Sequence, residues 1–109
     1  MTALLVALGA AVGAPLRFAI AGRLDDGVPW GTLVVNVTGS ALLGAFSALS
    51  LSESAWALLG LGLCGGFTTY SAFAVQTHDL GPRRGAGYAT VTIALSLAAC
   101  ALGYAVAQA

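Results

Sequence analysis

Cys64-Gly65-Gly66-Phe67-Thr68-Thr69-Tyr70-Ser71-Ala72-Phe73 lies inside an apolar segment that runs from Ser54 to Gln76. Paired glycines and adjacent threonines weaken helix propensity. They do so at the depth where a backbone surrounded by lipid most needs unbroken hydrogen bonding. The stretch predicts a helix broken at Gly65 to Thr69, with a plain kink as the alternative. A break survives in lipid where its freed carbonyls and amides line a protein cavity or bind an ion. Freed carbonyls suit a small hard cation.

Three segments of similar character flank it: Thr2 to Gly22, Gly31 to Leu51 and Gly85 to Gln108. Each reaches the ~20 residues that cross a ~30 Å hydrocarbon core as a helix. The chain is 59% apolar and 7% charged, with a mean hydropathy of +0.93, against about 25% charged in an ordinary soluble domain. The predicted fold class is therefore an all-α membrane protein. Residues 1–109 form a single domain of four transmembrane helices over about 2–22, 31–51, 54–76 and 85–108.

Apart from Arg17, the charged residues fall between these segments, at Arg23 to Asp26, Glu53 and Asp79 to Arg84, which reads as loops. The first segment lacks a basic leader, is long for a signal sequence and contains an arginine, so a retained helix is expected. Net charge is zero, lysine is absent and no basic run points to nucleic acid. Cys64 and Cys100 read as small packing residues. His78, the lone histidine, has no nucleophile or metal partner near it in sequence, so no enzymatic chemistry is expected.

Small residues recur every four positions: Gly9 and Gly13, Ser40 with Gly44 and Ala48, Gly62 and Gly66, Ala99 with Gly103 and Ala107. Such rows let helices approach closely in lipid. Short connections imply up-and-down neighbours. Trp30 and Trp56, at the starts of two spans, read as interfacial anchors, and arginine counting places both termini outside. So small a unit has little interior, and oligomerisation is expected.

Intramembrane polar groups are the natural functional candidates. Arg17 has two compatible readings: its side chain snorkels to the interface, and it faces a vestibule and concentrates anions. The Asn36 amide either ties helices together or offers two donors to a small anion. Tyr88, Thr92, Ser96, Cys100 and Tyr104 share one helical face at four-residue spacing. Their hydroxyls either bond back to their own backbone or form a donor track. Tyr70 and Phe73 are packing aromatics, or a pair whose electropositive ring edges attract an anion.

These residues together resemble the Fluc/CrcB family of fluoride channels over most of the chain. The resemblance rests on Gly13-Ala14-Pro15-Leu16-Arg17, on Gly31-Thr32-Leu33-Val34-Val35-Asn36-Val37-Thr38-Gly39-Ser40, and above all on Gly65-Gly66-Phe67-Thr68-Thr69-Tyr70-Ser71-Ala72-Phe73. It implies an inverted, antiparallel dimer with two fluoride pores at the subunit boundary and a structural sodium ion where the broken helices cross. It further implies that the carbonyls of Gly65 and Thr68 hold the sodium. Asn36, Tyr70, Phe73 and Ser71 would line the pore with the hydroxyls of Tyr88, Thr92 and Ser96, and Arg17 would stand at the vestibule. The family usually has phenylalanine where this chain has Tyr70. The arginine bias also leaves two partners open, an identical chain in an antiparallel homodimer or an oppositely biased paralogue in a heterodimer.

The function expected is passive, fluoride-selective export across the plasma or inner membrane by a multi-pass protein. A small multidrug-resistance-type proton-coupled exporter shares the four-span plan but needs a membrane-embedded carboxylate, and no span has one. A non-transporting membrane assembly subunit would explain the small-residue rows, but not Asn36, the broken helix and the hydroxyl stripe together.

Overall fold

A computed structural model describes every residue from Met1 to Ala109. Four helices long and apolar enough to cross a membrane account for nearly all of it: Thr2–Leu24, Trp30–Ala48, Glu53–Asp79 and Pro82–Gln108. We label the first α1, the second α2 and the last α6. The third span is composite. It begins with one turn, α3 (Glu53–Ala55), and widens into a π-helical stretch, π1 (Trp56–Cys64). One more turn, α4 (Gly65–Phe67), leads to the break, and α5 (Ser71–Asp79) resumes beyond it. Large apolar side chains such as Leu8, Phe18, Leu97 and Val106 point outward, as lipid permits.

The charged stretches expected as loops belong mostly to helix ends. Arg23 lies in the last turn of α1 and Glu53 opens α3. Asp79 closes α5, and Arg83 and Arg84 sit in the first turn of α6. A long charged side chain on a terminal turn reaches water while its backbone stays in the helix. Charge therefore marks the terminal turns of the helices as well as the connections between them. The connection between α1 and α2 is a tight hairpin, β1 (Asp25–Asp26) pairing antiparallel with β2 (Val28–Pro29). It turns on Gly27 at φ +67, a conformation that favours glycine.

Close packing follows the small-residue rows. Gly9 and Gly13 are buried under the third span, where a Cβ would strike the carbonyls of Leu58 and Leu63. α2 crosses α6 in the same way: a Cβ on Gly44 would strike the Cys100 carbonyl, and one on Gly103 the Ala41 carbonyl. α1 thus packs chiefly on π1, and α2 on α6. Gly44→Val is expected to lower the thermal unfolding midpoint, by overpacking worth about 1–3 kcal/mol. Gly87→Ala, with nothing within 4 Å of the new methyl, should be neutral. Thermal unfolding in detergent, followed by tryptophan fluorescence, checks the pair.

The break is present within the expected stretch, at its C-terminal end, but its cause differs from the sequence expectation. Gly65 and Gly66 are helical, and the chain leaves the helix at Thr68 with φ −90 and ψ 163. Gly66 is small because α1 runs against it: a Cβ there would lie 2.9 Å from the Ala10 Cα. Gly65 faces open space on the opposite side. The glycines are packing and cavity residues, and the turn is made by the threonines.

Candidate functional site

Leaving the helix at Thr68 strands backbone groups that a continuous helix would pair, and lipid offers them no water. In an α-helix the Thr69 N–H would reach the Gly65 carbonyl. It donates instead to Asn36 Oδ1 at 2.8 Å, while Asn36 Nδ2 donates to the Thr69 carbonyl at 2.9 Å. Asn36, on α2, thus takes the place of a neighbouring peptide unit. Gly66 also loses its helical donor, and its carbonyl accepts from Arg17 Nε at 3.1 Å. A cation there meets the negative end of the first half-helix. Thr69 Oγ1 accepts from the Ala72 N–H at 3.2 Å and caps the start of α5. The Thr68 carbonyl accepts no hydrogen bond within the chain.

On the side of the break away from α1 opens a groove of about 570 Å³. Asn36 and Ser40 of α2, Cys64 to Thr69 in part, Tyr70, Phe73, and Thr92 and Ser96 of α6 border it, and no charged side chain does. Hydroxyl protons sort into committed and free. Ser40 gives its proton to the Asn36 carbonyl and Thr68 gives its own to the Cys64 carbonyl. The hydroxyls of Thr92 and Ser96 are buried without any partner. Thr69 uses its oxygen only as an acceptor, and Asn36 keeps one of its two amide protons. Four donors with no partner in the chain therefore border one uncharged groove.

The aromatic pair stands at its rim. The ring centroids of Tyr70 and Phe73 are 6.3 Å apart at 45°, and those of Phe73 and Tyr88 are 5.9 Å apart at 31°. Tyr70 is 81% exposed in the single chain.

The structure thus gathers Asn36, Gly65, Thr68, Tyr70, Phe73, Thr92 and Ser96 in one groove. Other sequence candidates lie elsewhere. Tyr88 is buried and donates its hydroxyl to the Pro29 carbonyl at 2.9 Å. Ser71 is exposed at the start of α5. Arg17 is on the far face of the broken helix, bound to Gly66, rather than snorkelling to the interface. Cys100 lies under Gly44, and Tyr104 is exposed, accepting from Gln108. Several residues that border the groove are not among the sequence's site candidates, Trp56, Ser40 and Thr69 among them. Trp56, expected only as an anchor, borders the groove with its ring over Gly60. Ser40 figures in the sequence as a small residue and as the end of the Gly31 to Ser40 stretch. Thr69, three residues before Ala72, whose N–H it accepts, carries a legible capping pattern.

A family model described as CrcB-like protein, Camphor Resistance (CrcB), matches residues 4–104. The fluoride-specific ion channel FluC 2 of Rhodococcus jostii is 48% identical over 111 residues, covering 95% of this chain and 96% of the relative. FluC 1 of Thermobifida fusca, also a fluoride-specific ion channel, is 50% identical over 103 residues, 91% of this chain and 86% of the relative. The fluoride-specific ion channel FluC of Rhodospirillum rubrum is 38% identical over 114 residues, 94% and 88% of the two chains.

Proposed function

Since this chain belongs to the CrcB family, we propose that it is a fluoride-selective channel through which fluoride leaves the cell down its own gradient. It is a multi-pass protein of the cell membrane and not an enzyme. The observation that carries the reading is the donor set: unpartnered hydroxyls of Thr92 and Ser96, a free Thr69 hydroxyl and a free Asn36 proton border a groove without charge. A small anion holds its water tightly and enters only where donors replace that water. Neutral donors bind it weakly enough to let it go again. The ring edges of Tyr70 and Phe73 add an electropositive, non-hydrogen-bonding contact.

One chain supplies only one wall. The open groove and the exposed Tyr70 support an antiparallel dimer in which a second subunit closes the path. Ser71 and Tyr88 would join the path in that assembly, while Arg17 would brace the break from its other face. The partner is an identical chain or an oppositely oriented paralogue, and numbered relatives such as FluC 1 and FluC 2 make the second case reasonable.

The break also suits the implied sodium ion. The Thr68 carbonyl is unpartnered, and the helical donor of Gly65 is diverted to Asn36. Two carbonyls from each of two subunits would surround a small hard cation with oxygens. Bound there, sodium would supply fixed positive charge that holds the crossing point together.

Fluoride efflux from proteoliposomes, read with a fluoride electrode, tests the channel. No efflux above protein-free vesicles, from folded protein, would sink it and favour a non-transporting assembly subunit. A proton-coupled cation exporter is disfavoured because no carboxylate borders the groove. Ser96→Ala removes an unpartnered buried hydroxyl, so it should leave stability unchanged or raised. Efflux should nevertheless fall, because the ion loses a donor. Unchanged efflux in that variant would remove Ser96 from the path.

A further inference from the structure

We propose that Asp25 is a positioning residue for ion selectivity, its carboxylate tying the half-helix that carries the aromatic pair to the helix that carries Asn36. The inference rests on the channel reading above. Asp25 directly follows α1. Its Oδ1 accepts the backbone N–H of Gly31 at 2.8 Å and of Thr32 at 3.2 Å. These are orphan amides in the first turn of α2, where a carboxylate is favoured. Capping would be complete with that one oxygen. The second, Oδ2, accepts from Gln76 Nε2 at 3.2 Å and so reaches across to α5.

α5 needs such a tie. None of its residues is buried, its main neighbour is α6, and it touches α2 little. Besides the turn into α6 and the close approach of Gly85 to the Thr77 carbonyl, three features hold it: the Asn36 bridge to Thr69 before its start, the Phe73 ring against Tyr88, and the Asp25–Gln76 bond near its end. Tyr88 is itself anchored to Pro29 of the same hairpin. Gln76 lies three residues beyond Phe73 and therefore on the same side of the helix. With the tie to the hairpin and α2 released, α5 can shift together with the start of α6 about Thr68 to Tyr70. That motion shifts Tyr70 and Phe73 against Asn36, and a gap tuned to a small anion widens.

The variants Gln76→Leu, Asp25→Asn and Asp25→Ala separate this from simple capping. Each is read by fluoride efflux, by the fluoride-to-chloride permeability ratio, and by hydrogen exchange of the amides of residues 71–79. Gln76→Leu leaves the α2 cap intact. It is expected to slow efflux about tenfold, within the roughly hundredfold that a misplacement of about 1 Å can cost. It should also lower discrimination against chloride and speed exchange in residues 71–79 but not in α2. Asp25→Asn keeps an acceptor for α2, and its new N–H can meet Gln76 Oε1, which is buried and unpartnered. This variant should behave as the parent, while Asp25→Ala should resemble Gln76→Leu and lose the cap as well.

Parental efflux, selectivity and exchange in Gln76→Leu would overturn the proposal. So would Asp25→Asn as impaired as Asp25→Ala, since charge and not the tie would then matter. A parent protein without fluoride efflux would defeat the channel reading instead, and the exchange measurements would still decide the tie.

Discussion

Asn36→Ala is expected to abolish measurable fluoride efflux and to destabilise the chain more than any other single truncation in α2. Both of its hydrogen bonds to Thr69 are lost together. Each buried group left unpaired costs about 1–3 kcal/mol, and both lie at the break, where water cannot substitute. Asn36→Asp separates bracing from ion contact. It keeps an acceptor for the Thr69 N–H, but it sets an oxygen against the Thr69 carbonyl and a negative charge beside the groove. Its stability should fall between those of the parent and the alanine variant, with efflux still lost. Denaturation followed by tryptophan fluorescence, beside electrode efflux, reads the two effects. Parental efflux in Asn36→Ala would remove Asn36 from the conduction path.

The second large effect is expected at Arg17. Its Nε bond is the replacement that the break offers to the Gly66 carbonyl. Arg17→Leu should cost about 1.5–3 kcal/mol, the range for a hydrogen bond to a charged group. It should also loosen Gly65 and Thr68 next to it. Arg17→Lys keeps the charge but not the planar fork, so partial retention is expected. A vestibule charge acts at a distance and is screened by salt. A contact at the break is not, so the loss of efflux in Arg17→Leu should be independent of ionic strength. Unchanged stability, with an efflux defect that disappears at high salt, would return Arg17 to the vestibule.

Hydropathy located the spans because lipid imposes length and apolarity on every helix that crosses it. The four-residue rows of small side chains were legible for a similar reason, since Gly9, Gly13, Gly44 and Gly103 are contacts that any larger residue would block. The break was legible only in its neighbourhood. Propensity singled out Gly65 and Gly66, but the turn depends on the bond between Thr69 and Asn36, 33 positions apart in sequence, and a partner at that distance leaves no local mark. Arg17 was ambiguous for the same reason: the carbonyl it meets is free only because the helix ends there. The hydroxyl stripe on α6 was half legible. Spacing put its members on one face, but only packing shows that Tyr88 is tied to Pro29 while Thr92 and Ser96 remain unengaged.

The π-helical stretch from Trp56 to Cys64 bears on which changes in length this protein can absorb. A wide coil holds more residues per unit of height than an α-helix does. A residue deleted there can be made up by local reversion to α geometry, so that Thr68 keeps its depth and heading. The same deletion between Thr68 and Tyr70 has no such reserve and would turn α5 away from Asn36. Over evolutionary time, insertions and deletions in the third span should therefore collect ahead of the break and be absent within it.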